Sequence, residues 1–305
     1  MGGLPDDFYR HPVWSHLREF CHQWTTPGSP LHDRVENIWL EFDVEGVSQP
    51  VPVPSVFFGP IGGIGPHLRD GSTFPSDEAL YGWLTQKGLA SLSGRLVPPL
   101  VERRIFDCLD ALPAGARVFQ VGAMLARPSD AVRLCIADMS PSQIEVYLQR
   151  VRWPGSAAHL RSLFVFLRTF ADYFVLDIDV EETVRPKIGL ECYFYGFKQP
   201  AQEPRWQDFL NVLVEQGLCV PAKREALLAW PGFERADASP DLWPRNLLLA
   251  SRLFGPRVSS AISRTLHHVK ISHEPGRPLE AKVYMGIGVH WFATQPLQEQ
   301  WHARL

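Results

Sequence analysis

The run Leu279-Glu-Ala-Lys-Val-Tyr-Met-Gly-Ile-Gly-Val-His-Trp291 alternates in polarity almost without a break. Successive side chains of a β-strand leave on opposite faces. One face of this run therefore carries Ala281, Val283, Met285, Ile287 and Val289. The other carries Glu280, Lys282, Tyr284, Gly286, Gly288 and His290. Across the turn Pro275-Gly-Arg-Pro278, the preceding run sets Val269 and Ile271 against His268, Lys270 and Ser272. Two alternating runs flanking a Pro/Gly turn predict a β-hairpin with one apolar and one polar face. His267 and His268 are adjacent and are expected on opposite faces.

The pattern recurs upstream. Residues 35–44 and 54–58 predict a first hairpin, with Ile38, Leu40, Phe42 and Val44 against Trp39, Glu41 and Asp43. Residues 117–126 and 131–136 predict a second, with Phe119, Val121, Ala123, Leu125, Val132, Leu134 and Ile136 on the apolar side and Gln120, Gly122, Met124, Arg133 and Cys135 opposite. Residues 173–180 and 186–195 predict a third. Its polar side holds Asp177, Asp179, Lys187, Gly189, Glu191 and Tyr193. Helical spacing fills the intervals, at about 12–24, 76–87 (Ser76 as N-cap), 99–112, 157–172, 205–216, 222–230, 243–254 and 256–263. Ser140-Pro-Ser-Gln opens another helix with Ser at the N-cap and Pro at N1. Gly59-Pro-Ile-Gly-Gly-Ile-Gly-Pro66 lacks the Lys-Ser/Thr of a phosphate loop and reads as a flexible connection or lid.

No strand is followed by a lone crossover helix, so the class is α+β with an antiparallel sheet. Helices can cover the apolar faces, and the polar faces then point together. An open sheet would leave them in water. Closure would make an antiparallel β-barrel of about eight to ten strands ringed by helices, built from repeated αββα units. Closure is the expectation, with Gly122, Gly189, Gly286 and Gly288 leaving room in the lumen. The chain is read as one domain over 1–305, with an N-terminal helix and loop (1–34) and a polar tail (293–305).

With 305 residues, 45% hydrophobic, and a formal net charge of -3, the chain has ordinary globular composition. It has no basic run, which argues against a nucleic-acid partner. The most apolar stretch, 160–174, is short and interrupted by Arg161 and Arg168, so no membrane span is expected. Five scattered cysteines show no metal-ligand spacing. The N-terminus lacks the basic and apolar regions of a signal peptide, and the cytoplasm is the expected location.

Four segments, Val132-Arg-Leu-Cys-Ile136, Phe174-Val-Leu-Asp-Ile-Asp179, Pro186-Lys-Ile-Gly-Leu-Glu-Cys-Tyr193 and Ala281-Lys-Val-Tyr284, together set Arg133, Lys187 and Lys282 with Tyr193 and Tyr284 on the polar faces. In this the chain resembles the aromatic prenyltransferases, nearest the branch that modifies cyanobactin peptides. It also resembles proteins of unknown function from bacterial peptide natural-product clusters. The resemblance implies transfer of a prenyl group from its diphosphate, accompanied by Mg²⁺, to an aromatic residue of a peptide. Arg133, Lys187, Lys270 and Lys282 would hold the diphosphate. Tyr193, Tyr284 and Trp39 would shield the allyl cation through their π faces. Glu41, Asp43 or Asp177 would take the acceptor's proton, and His290 would stand near the barrel mouth. Two features depart from the family's pattern. Ser55 stands where a cation is expected, and the Lys-x-Tyr signature is clean only at Lys282/Tyr284. The inward carboxylates also outnumber the cations, so structural ion pairs are expected: Glu280 or Glu191 with Lys187 or Lys282, and Asp177 or Asp179 with Arg133. The alternative is a non-catalytic scaffold that binds a peptide or aromatic natural product, or a biosynthetic intermediate.

Overall fold

The computed structural model describes residues 6–43, 51–66, 77–127, 129–236, 238, 241, 243–255 and 258–293. Val44, Ser76 and the tail beyond Ala293 lie outside them. Helices α1 (Asp6–Arg10) and α2 (Pro12–Thr25) lead into β1 (Val35–Glu41) and β2 (Ser55–Pro60). Then come α3 (Asp77–Trp83), a π-wound stretch Leu84–Leu89, α4 (Ala90–Ser93) and α5 (Pro99–Asp110). The strands β3 (Arg117–Ala123) and β4 (Val132–Ala137) precede α6 (Pro141–Arg150) and α7 (Ala157–Leu167). After β5 (Tyr173–Val180) and β6 (Val184–Tyr193) come α8 (Arg205–Glu215) and α9 (Pro221–Ala229). The chain continues through β7 (Gly232–Arg235) and α10 (Arg245–Phe254) to β8 (Val258–His273) and β9 (Glu280–Ala293).

The nine strands form one antiparallel sheet in the order β1-β2-β3-β4-β5-β6-β8, with β7 and β9 both pairing with β8. Its apolar face makes the main core. Val121, Leu134, Ile136, Leu176, Ile178, Leu190, Val269 and Ile271 pack there with Phe20, Ile105, Tyr147, Leu167, Trp206 and Phe209 from the helices. From β3 to β6 the hairpins' alternation and the helical covering are thus as expected, whereas Leu40 and Phe42 of the first hairpin, read as covered, are exposed. Ser140 caps α6 in a reciprocal capping box with Gln143. Ser140→Ala is expected to cost about 1 kcal/mol in urea denaturation, since it leaves the Gln143 amide in the first turn of α6 without its acceptor.

The expected closed barrel does not form: among the described residues β1 pairs with β2 alone and β9 with β8 alone. The two ends of the strand order still meet, through side chains. Tyr284 Oη donates to Glu41 Oε1 at 3.2 Å, and Lys282 Nζ donates to Asp43 Oδ1 at 2.8 Å. Contacts between the two ends require a sheet curled with its polar face inside. Long side chains occupy the space that a backbone ladder would need to close. Nor do the glycines open a lumen. A Cβ on Gly122 would collide with the Phe57 ring, and one on Gly189 with the Lys270 side chain. These positions admit neighbouring side chains, and a small cluster of Phe57, Met124, Cys135, Val175 and Tyr193 fills part of the concave face.

Other departures have local causes. A bulge between Val118 and Gln120 sends Val118 into the main core and leaves Phe119 on the concave side, contrary to strict alternation. The segment 256–263, expected as a helix, opens β8 from Val258 on. Its Val258–Arg264 stretch pairs with β9, and Ala261–Arg264 with β7 as well, so sheet contacts override local propensity. The glycine-rich loop is pinned, since Ile64 and Val118 exchange both backbone hydrogen bonds at 2.8 and 2.7 Å. Finally, Ala281 and Val283 reach the core, but Met285, Ile287 and Val289 further along β9 are exposed.

Candidate functional site

The concave face has a cationic end and an aromatic end, divided by Tyr284. At the cationic end lies a cavity of about 180 Å³. Arg133 comes to it from β4, Lys187 from β6, Lys270 from β8 and Lys282 from β9. Two more cations arrive at the same end: Arg127 from the turn after β3 and Arg185 from the first residues of β6. Each of these cations already faces a carboxylate. Arg133 makes a bidentate pair with Asp179, at 2.7 and 2.9 Å. Lys187 reaches Glu280 at 2.5 Å, and Lys270 pairs with Asp177. Lys282 and Arg127 share Asp43, both at 2.8 Å, and Arg127 also reaches Glu41. Arg185 stands 3.5 Å from Glu181. The Arg133–Asp179 and Lys187–Glu280 pairs are among those expected from the sequence.

Burial sets the character of each carboxyl. Desolvation works against ionisation of Asp179 and of Asp43. The Arg133 fork outweighs it at Asp179, and Lys282 with Arg127 outweighs it at Asp43, so both carboxyls stay below their usual range. Asp177 is almost fully buried. Desolvation, helped by the charge of Glu191, wins over Lys270 and Arg133 and pushes Asp177 up to about 6. Its Oδ1 has no hydrogen-bond partner. Ser55, where a cation was expected, is buried with its Oγ likewise unpartnered.

At the aromatic end, Glu191 accepts a hydrogen bond from Tyr193 Oη at 2.6 Å and lies 3.3 Å from His268 Nε2. Burial opposes its ionisation, but His268, Lys270 and Tyr193 together hold its carboxyl well below the usual range. Tyr284 stacks on His268, with ring centroids 4.3 Å apart. A bulge between Leu266 and His268 sets His267 beside His268 rather than opposite it, and their Nδ1 atoms lie 2.8 Å apart. This overturns the expectation that the two point to different faces. His267 also touches Trp39 and Phe197 (centroids 5.6 and 5.1 Å), and burial followed by its neighbour His268 lowers its pKa to about 4. Phe197 takes a left-handed backbone, φ 51°, rare for a bulky residue. Gln199 holds the turn by donating to Phe197 O at 2.9 Å while bonding both backbone groups of Leu266.

The fold thus brings Glu41, Asp43, Asp177, Arg133, Lys187, Lys270, Lys282 and Tyr284 to the cavity and its rim, with Trp39 and Tyr193 in the adjoining aromatic end. His290 stands apart. It is exposed six residues along β9 from Tyr284, roughly 20 Å at strand rise, and its Nε2 meets Ser263 Oγ at 2.8 Å. Arg127 and Arg185 were not singled out from the sequence. Their one signal is a cation in each of two predicted turns that the hairpin register places at the same end of the sheet. Among the described residues no group of His, Cys, Asp and Glu is arranged to hold a metal ion. No helix there is long and apolar enough to cross a membrane. No protein-family model, curated protein or solved structure matches this chain.

Proposed function

We propose that the concave face is a receptor for a peptide or peptide-derived natural product, whose acidic group enters the cationic cavity without a bond being made or broken. The observation that carries this reading is the cavity lined by six Lys and Arg, each already opposite a carboxylate. The outer pairs can exchange partners cheaply. Lys187, Lys282 and Arg185 are each about two-fifths or more exposed, and exposed ion pairs contribute little. An incoming carboxylate can share them, while the buried Arg133 and Lys270 pairs hold the frame. Ligand pockets commonly enclose about 300–1,000 Å³. A cavity of about 180 Å³ suits one group of a ligand whose remainder lies outside.

Prenyl transfer on the same face would require cations free to take a polyanion, and room for both the prenyl chain and its aromatic acceptor. The pairing of the cations and the filling of the glycine positions by Phe57 and Lys270 favour binding instead.

Fluorescence anisotropy with a labelled aromatic pentapeptide tests the reading. Changing its free C-terminal carboxylate to the amide is expected to weaken binding about tenfold, or about 1.4 kcal/mol. The double change Lys187→Ala and Lys282→Ala is expected to do the same to the free acid. Incubation with dimethylallyl diphosphate, Mg²⁺ and the peptide is expected to give no gain in mass. A prenylated product would overturn the proposal in favour of transfer.

A further inference from the structure

The curled sheet leaves a seam between β1 and β9, and its geometry is specific. Hydrogen-bonded neighbours in a sheet lie about 4.8 Å apart. Here, among the described residues, the two edges share no backbone ladder, and long side chains meet end to end, Tyr284 with Glu41 and Lys282 with Asp43. The two contacts fall on one register: two residues forward on β1 correspond to two residues back on β9. The edges therefore run antiparallel along the gap, each with a row of backbone groups that no described strand takes.

The outward sides of both edges are apolar and open. Leu40 and Phe42 on the β1 side are 38% and 41% exposed, and Met285, Ile287 and Val289 on β9 are 44%, 69% and 46% exposed. The inward sides are polar, with Glu41 and Asp43 facing Lys282 and Tyr284. Sheet edges are ordinarily blunted by Lys, Pro or bulges. From Tyr284 to Ala293, β9 has none of these: the sequence is Tyr-Met-Gly-Ile-Gly-Val-His-Trp-Phe-Ala. Its only register shift lies opposite, at Leu266/His268 on β8.

We infer that this seam receives an extended peptide as an added strand, antiparallel to β9, with alternate side chains apolar toward the outside and polar toward the concave face. The inference rests on the peptide-receptor reading and says how the part of the ligand outside the cavity is held. Main-chain hydrogen bonds to a free edge supply affinity, and alternate side chains supply selectivity. A peptide is favoured over a second copy of this chain because Lys282 and Tyr284 border both the seam and the cavity. One extended ligand can thus fill both. A second β9 laid antiparallel along the first would set Gly286 and Gly288 inward, with no side chain there to reach the cavity.

The probe is a fluorescein-labelled nonapeptide alternating valine and glutamate. Amide hydrogen exchange and anisotropy are read together on the full chain. Binding is expected to slow exchange at residues 284–292 about tenfold, with a smaller effect at 39–41. Ile287→Lys with Val289→Lys, both at exposed positions, is expected to remove that protection while leaving capture of the free-acid pentapeptide unchanged. Binding of the nonapeptide without slower exchange in β9 would overturn the seam and leave the receptor reading standing. Binding of neither peptide would overturn both. Slow β9 exchange before any peptide is added, with dimers in light scattering, would make a second copy the occupant and overturn the inference. If the lysine variant loses its fold by circular dichroism, the exchange pattern of the unaltered chain decides alone.

Discussion

Replacing Lys270 by alanine is expected to lower unfolding free energy at pH 7.5 by about 3–5 kcal/mol, the range for breaking a buried pair from one side. Lys270 and Asp177 are 4% and 2% exposed, so the carboxylate left behind has no water to turn to. The effect has a definite pH dependence. Asp177 is raised from 3.8 to about 6, by burial first and the charge of Glu191 second. A raised carboxyl stabilises through its neutral form: that contribution is complete below the unfolded value and is lost as pH rises through the folded one. Without Lys270 the folded pKa rises further, and the orphaned group is neutral over more of the acid range. The penalty should therefore be largest above pH 6 and should shrink toward pH 4.5. Urea denaturation at the two ends of that range reads both parts. Equal losses at both, or a loss below about 1 kcal/mol, would show that the pair is not isolated from solvent. Replacing both partners by apolar residues of similar size should cost much less than either change alone.

Trp206→Ala is expected to be as damaging, at about 3–5 kcal/mol. Trp206 projects from α8, is 1% exposed, packs at a tilt against Phe194 with ring centroids 4.7 Å apart, and donates from Nε1 to Lys198 O at 2.8 Å. Its loss would leave a cavity between α8 and the convex face and an unsatisfied carbonyl. The distinction from Lys270→Ala is the pH profile. A cavity has no titratable component, so the loss should be the same at pH 4.5 and 7.5. Phe is the milder replacement, restoring most of the volume but not the hydrogen bond.

The candidate site was legible where it depends on strand period. Alternation alone put Arg133, Asp177, Lys187, Lys270, Lys282 and Tyr284 on one face, and charge balance anticipated Arg133–Asp179 and Lys187–Glu280. It failed wherever the period breaks. The bulges at Val118/Gln120 and Leu266/His268 misplaced Phe119 and His267, because one extra residue reverses every assignment beyond it until the register recovers. His290 was misjudged for a different reason. Its face was inferred correctly, but β8 and β9 extend together past β6, with β7 alongside, so a residue on the concave side is not thereby at the cavity. Arg127 lies in a turn, where no periodicity assigns direction, and Arg185 stands at the start of β6, one residue before the run read as its strand.

By itself the sequence determined that the chain makes antiparallel hairpins with one apolar and one charged face, and that helices between them cover the apolar one. Those outcomes follow from side-chain alternation and from the cost of leaving apolar surface in water, both of which act over a few residues. Only the tertiary structure decided whether the curled sheet would close. That turned on whether the ends of the strand order came within backbone hydrogen-bonding distance, which depends on the bulk of side chains from several strands meeting on the inner face. Phe57 occupies the space beside Gly122 and Lys270 that beside Gly189, while Tyr284 and Lys282 span the last gap. The result is a sheet joined across its seam by a hydroxyl and an ammonium group, with two edges that no other described strand pairs.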